Sequence, residues 1–205
     1  MNSLNKTLCL VLLLFLTGSV QVRAQADDEE IVADTSAAAQ KQLTSRDPLE
    51  RQRAAEELAR NAAPSNRKLL EGYRLQEKNA RVKLALDWAL YRIGKTEMLH
   101  AIVRALDSQR VNQAIAYLST LETPEPLYFF LERMNGNTQI KLLEVLAKIG
   151  DAGTLEKLRS YSESLDPKIV EAAQFATREI ELRLGQTPAA TQTRPRQVGT
   201  TESSP

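Results

Sequence analysis

The chain has 205 residues, with 27 basic and 26 acidic side chains and a formal net charge of +1. That balance gives no electrostatic basis for nucleic-acid binding, which draws most of its strength from neutralised phosphates, and the 5% aromatic content is low for a β-sandwich. The length fits one domain or one repeat array with tails.

Residues 1–24 are expected to be a secretory signal peptide. Lys6 precedes a short apolar run from Leu8 to Leu16, and small residues at Val22-Arg23-Ala24 and Ala24-Gln25-Ala26 offer cleavage after Ala24 or Ala26. The run is well short of the roughly 20 residues a membrane span needs, so membrane contact is expected only through the signal before cleavage. Cleavage removes Lys6 and Arg23, leaving 25 basic against 26 acidic residues, and removes Cys9, the only cysteine. An exported chain, periplasmic or secreted, would then rely on its apolar core without disulfides.

Residues 25–46 open with Asp27, Asp28, Glu29 and Glu30 and then become Ala/Gln-rich, predicting a helical cap from Thr35 to Leu43. Residues 47–184 carry helical periodicity in two interleaved sets. The first set has anchors Leu58, Leu90, Leu118 and Leu146, separated by 32, 28 and 28 residues. Ala54, Leu86, Ala114 and Leu142 lie three or four positions earlier, and Ile93, Leu121 and Ile149 three later, marking one helix face. The second set repeats Leu99, Ile102, Val103 and Leu106 as Leu127, Phe130, Leu131 and Met134, then as Leu155 and Leu158. Asp47-Pro48 and Asp166-Pro167 read as helix starts. Gly94 and Gly150 read as left-handed helix ends. Residues 185–205, rich in Thr, Pro, Ser and Gln, lack apolar anchors and are expected to be a disordered tail.

Helix pairs recurring every 28–32 residues cannot each bury their own stripes, which favours stacking. The pattern resembles bacterial HEAT-like repeats: Asp47-Pro48-Leu49-Glu50-Arg51 leading to Ala54-Ala55 and Leu58, Asn79 to Lys83 leading to Ile93-Gly94, and Asp166-Pro167 leading to Ala172-Ala173. Ser108-Gln109-Arg110-Val111 departs from it by lacking the proline. The resemblance implies an all-α solenoid of four to five helical hairpins over residues 47–184. First helices would form the convex side and second helices the concave side.

No catalytic apparatus is read from the chain. His100 is the only histidine, too few for a zinc site without carboxylate help. No phosphate loop or nucleophile elbow occurs, and the carboxylate pairs sit on charged faces where salt bridges are the simpler role. No cofactor or metal is expected. The expected function is a non-enzymatic scaffold holding a protein partner on the concave face. The alternatives are an exported hydrolase or lyase using groove carboxylates, and a purely structural envelope component. Register places His100 with Tyr128, Arg104 with Glu132, and Arg133 with Tyr161 off the core stripe, and Phe129 beside Tyr128. Tyr128, Phe129, Arg104, His100, Arg133 and Tyr161 are the candidate contact surface. Trp88 is added to them as a partly exposed residue at the edge of the outer face, because the equivalent positions hold Glu56 and Glu144.

Overall fold

The computed structural model describes residues 36–185. The expected signal segment, the acidic run Asp27 to Glu30 and the expected tail after Gly185 lie outside the described residues. Among those residues every regular element is helical and no strand occurs. Helix α1 covers 36–42 and is followed by α2 (Pro48–Asn61), α3 (Arg67–Gln76), α4 (Ala80–Arg92), α5 (Leu99–Arg104) and α6 (Val111–Leu118). Then come α7 (Glu125–Arg133), α8 (Gly136–Ile149), α9 (Ala152–Ser162) and α10 (Pro167–Gly185). The chain divides into two compact units, Met1–Tyr117 and Leu118–Pro205.

Four helix starts follow one local rule. The side chain of a short polar residue accepts a hydrogen bond from the backbone N–H two positions on, satisfying a donor the helix leaves open. Asp47 accepts from Leu49, Asn79 from Arg81 and Asp166 from Lys168, at 2.9–3.0 Å. Ser108 accepts from Arg110 at 3.1 Å. The repeat that lacks the proline therefore keeps the same start, with a hydroxyl in place of a carboxylate.

In the first unit α4 is central, packing against α2, α3 and α5. Leu58, Ala54, Leu86 and Leu90 are buried as the spacing requires, while Ile93, near the helix end, is only half-buried. Burying a leucine contributes about 1.5–3 kcal/mol, so these stripes dominate the stability of the unit. Helix α1 lays Ala39, and the turn after it Leu43, into the core. Gln40 donates to Asn66 at 2.7 Å. Three ion pairs cross between elements. Arg51 bonds both oxygens of Glu77, at 2.8 and 3.0 Å; Lys95 reaches Glu71 at 2.6 Å; Arg74 of α3 pairs with Asp87 of α4.

Helix α4 ends with Gly94 at φ +96°, its N–H on Tyr91 and the Lys95 N–H on Leu90, the left-handed closure expected from the sequence. Helix α2 closes in the same backbone region on Ala62, at φ 47°, where a Cβ is disfavoured. Ala62→Gly is expected to stabilise the protein by about 0.5–1 kcal/mol, the strain relieved minus the added chain entropy. A lower urea midpoint for the variant would contradict this.

In the second unit α10 packs against α8 and α9, and α7 against α8. Leu142 and Leu146 are fully buried, and Leu127, Phe130, Leu131 and Leu158 are also buried. Some expectations fail here: Met134 and Ile149, placed on the stripes by their spacing, are only half-buried. Leu155 is half-buried and Thr154 takes the fully buried place. The cause is the start of α9. The Asp151 side chain accepts from the Thr154 N–H at 2.9 Å while the Thr154 hydroxyl accepts from the Asp151 N–H at 3.0 Å. This reciprocal cap turns the threonine inward. Gly150 is not left-handed: it has φ −61° and ψ 154°. It is glycine for space, because a Cβ there would lie 2.6 Å from Ile180 Cδ1 of α10 and 2.6 Å from the Leu146 carbonyl.

Candidate functional site

Four of the predicted contact residues, Tyr128, Phe129, Arg133 and Tyr161, lie on α7 and α9 in the second unit, and two of them, Tyr128 and Tyr161, line one groove. Helix α7 owes its stripe to Leu127, Phe130 and Leu131, which are buried. That stripe turns Tyr128, Phe129, Glu132 and Arg133 off the core. Across from them α9 supplies Glu156, Lys157, Ser160 and Tyr161, and with Tyr128 and Glu132 they enclose a groove of about 320 Å³.

Tyr128 is half-buried and held in place. Its oxygen lies 2.8 Å from the Thr154 hydroxyl. That hydroxyl donates to the Asp151 carboxylate at 3.0 Å, so Tyr128 must be the donor to Thr154. Burial raises the Tyr128 phenol above its ordinary range, with the Asp151 carboxylate adding to the effect. Burial likewise raises Tyr161, helped by Glu132. Both phenols therefore stay neutral, and the single hydroxyl hydrogen of Tyr128 is committed to Thr154. Lys157 sits 5.9 Å from the Tyr128 ring centre and 3.9 Å from Glu132, a loose arrangement around a half-exposed ammonium.

Phe129 is 49% exposed. The Arg133 guanidinium stacks over its ring at 4.0 Å, and Phe130 meets it edge-on at 5.4 Å. An exposed ring fixed on both sides loses little side-chain freedom on binding, which is what makes an aromatic an effective anchor.

His100 and Arg104 belong to the first unit. Both are exposed on α5 and line a groove of about 280 Å³ with Arg74, Glu97 and Met98. Arg104 also borders a second groove of about 300 Å³.

Trp88 is a correction. It is 6% exposed, not at the edge of an open face. Tyr91 and Tyr117 stack on it, each with ring centres 5.5 Å away, and the Arg92 guanidinium lies 5.8 Å from its centre. The Tyr117 hydroxyl donates to Glu56 at 2.6 Å, and Gln113 donates to that hydroxyl at 2.7 Å. Burial and the Glu56 carboxylate hold the Tyr117 phenol far above its ordinary range. The Glu56 that argued for exposure of Trp88 is itself part of this packed cluster.

Sequence reasoning missed the exposed apolar residues of α10. Phe175 and Leu182 are 43% and 57% exposed, seven residues apart and so on one helix face. That spacing was available in the sequence but was hidden among the buried alanines Ala172, Ala173 and Ala176. Among the described residues no group of three His, Cys, Asp or Glu side chains is placed to hold a metal ion, and no helix is long and apolar enough to cross a membrane. Comparison with protein-family models and with curated proteins finds no match to this chain.

Proposed function

We propose that the chain is a non-enzymatic scaffold built as a HEAT-like helical solenoid, exported from the cell, and that it holds a protein partner on the face carrying the second helix of each pair. The solenoid reading is supported separately in each unit. In the first, α2 and α4 pack as neighbouring first helices with α3 against α4; in the second, α8 and α10 do so with α9 against α10. The single observation that carries the binding role is the half-exposed Phe129, clamped by Arg133 and next in sequence to Tyr128, which lines a groove with Tyr161. The carboxylates near that groove, Glu132 and Glu156, are both more than 60% exposed and paired with Lys157 and Arg159. Acid chemistry would need one of them driven to high pKa by burial.

Phe129→Ser separates binding from folding. The variant is expected to keep its helicity, with a stability change within about 0.5 kcal/mol, as for surface substitutions. It should lose a partner protein that the wild-type chain captures from the exported fraction, while Tyr128→Phe, which only removes the bond to Thr154, should retain it. Equal capture by Phe129→Ser and wild type would defeat the proposal.

A further inference from the structure

Helix α10 is the last described element, and its outer face is not uniformly polar. Phe175 and Leu182 stand on it, 43% and 57% exposed. Arg178 and Glu179 lie between them, both exposed. The positions 175, 178, 179 and 182 follow the spacing i, i+3, i+4, i+7. The four side chains are therefore neighbours on one helix face, with the two apolar ends about 10 Å apart along the axis. Among the described residues Arg178 and Glu179 hold no ion pair within the chain. The face thus offers two apolar groups and two opposite charges, all open to a partner.

We infer that this face pairs with the same face of a second copy of the chain, the two α10 helices running antiparallel. A two-fold axis passing between positions 178 and 179 sets Phe175 of each copy against Leu182 of the other, and Arg178 of each against Glu179 of the other. Both apolar side chains are then covered and each charge meets its opposite. The patch is self-complementary, as an isologous contact requires. A parallel pairing would set arginine against arginine and glutamate against glutamate, which repel. The segment after Gly185 is a poor rival for the face, because it holds no leucine, isoleucine, methionine or aromatic residue to lay against Phe175 and Leu182. One helix face is small beside the interfaces of permanent dimers, so the pairing is reversible, with a dissociation constant of about 10–100 μM. It uses no residue of the Phe129 face, and either reading can fail alone.

Sedimentation equilibrium of the full chain, run from about 1 μM to about 500 μM, should show a monomer at the dilute end and approach twice the chain mass at the other. Phe175→Gln combined with Leu182→Gln should weaken the dimer about tenfold or more. The thermal midpoint of the dilute chain should stay nearly the same, because both side chains are exposed in the single copy and glutamine is a good helix former. Arg178→Glu and Glu179→Arg should each weaken the dimer about tenfold, since each sets like charges together at both symmetric contacts. Mixing those two variants should restore pairing to near the wild-type strength, because one copy is then acidic at both positions and the other basic at both. The inference is overturned if the chain stays monomeric over the whole range, whether the segment after Gly185 or a different protein covers the face. It is equally overturned if the glutamine changes leave the dimer intact, or if the mixed charge variants associate no better than each by itself.

Discussion

Replacing Arg74 by methionine is expected to destabilise the first unit by about 3 kcal/mol at neutral pH, the loss typical of a buried ion pair stripped of one partner. The reason is Asp87. Its side chain is 6% exposed and lies on the face of α4 that α3 covers, with Arg74 as its bonded cation. Burial pushes the Asp87 carboxyl above its ordinary value, and Arg74, followed by Lys83, holds it down. A raised carboxyl keeps its proton to higher pH in the folded state than in the unfolded chain. Its contribution is therefore fully present below the ordinary carboxylate pKa and is lost as pH rises through the folded pKa. Without Arg74 that folded pKa climbs further, so the deficit of Arg74→Met should be largest at pH 7 and shrink as the pH falls toward 4. Adding Asp87→Asn should recover most of it, since the amide brings no charge into the core. Urea unfolding of the three variants at both pH values checks this; a deficit below about 1 kcal/mol at neutral pH, or one that is the same at pH 4, would refute it.

The second large effect is expected at Gly150. Gly150→Ala places a Cβ against the Leu146 carbonyl and the end of Ile180. Ile180 can shift its terminal methyl, but the carbonyl belongs to the backbone of α8 and accepts the Gly150 N–H at 2.7 Å. The same corner is tied to α10 by Arg183, which donates to the carbonyls of Ala147 (2.8 Å) and Gly150. Forcing the contact open should cost about 2–3 kcal/mol, the range of overpacking. Gly94 is the control: it has open space around it and a positive φ. Asn tolerates that backbone region better than Ala does, so Gly94→Asn should be milder than Gly94→Ala. At Gly150 asparagine should be no better than alanine, and thermal melts showing Asn rescue there would place the cause in backbone conformation instead of space.

Much of the helix pattern was legible in the sequence because local physics decides it. Asp47 and Asp166 start helices in the structure as they do on paper, and the anchors Leu58, Leu90, Leu118 and Leu146 are all buried. A cap needs only the next few backbone donors, and a stripe needs only the helix period, so neither depends on distant residues. The off-core register of α7 was legible for the same reason, and it placed Tyr128 and Phe129 on the side where they are found.

Other features depended on residues far along the chain. Trp88 is buried because Tyr117, 29 residues later, stacks on it and Glu56 anchors that tyrosine. Gly150 is required by Ile180 together with the Leu146 carbonyl, and the groove of about 300 Å³ beside Arg104 forms because α4 and α5 meet in space. The sequence by itself determined the helices, their starts and the buried stripes, since those follow from hydrogen bonds and periodicity within one or two turns. Only the tertiary structure decided which aromatics are enclosed and which glycine has no room for a side chain, because contacts and clashes act through space between segments that the chain order leaves apart.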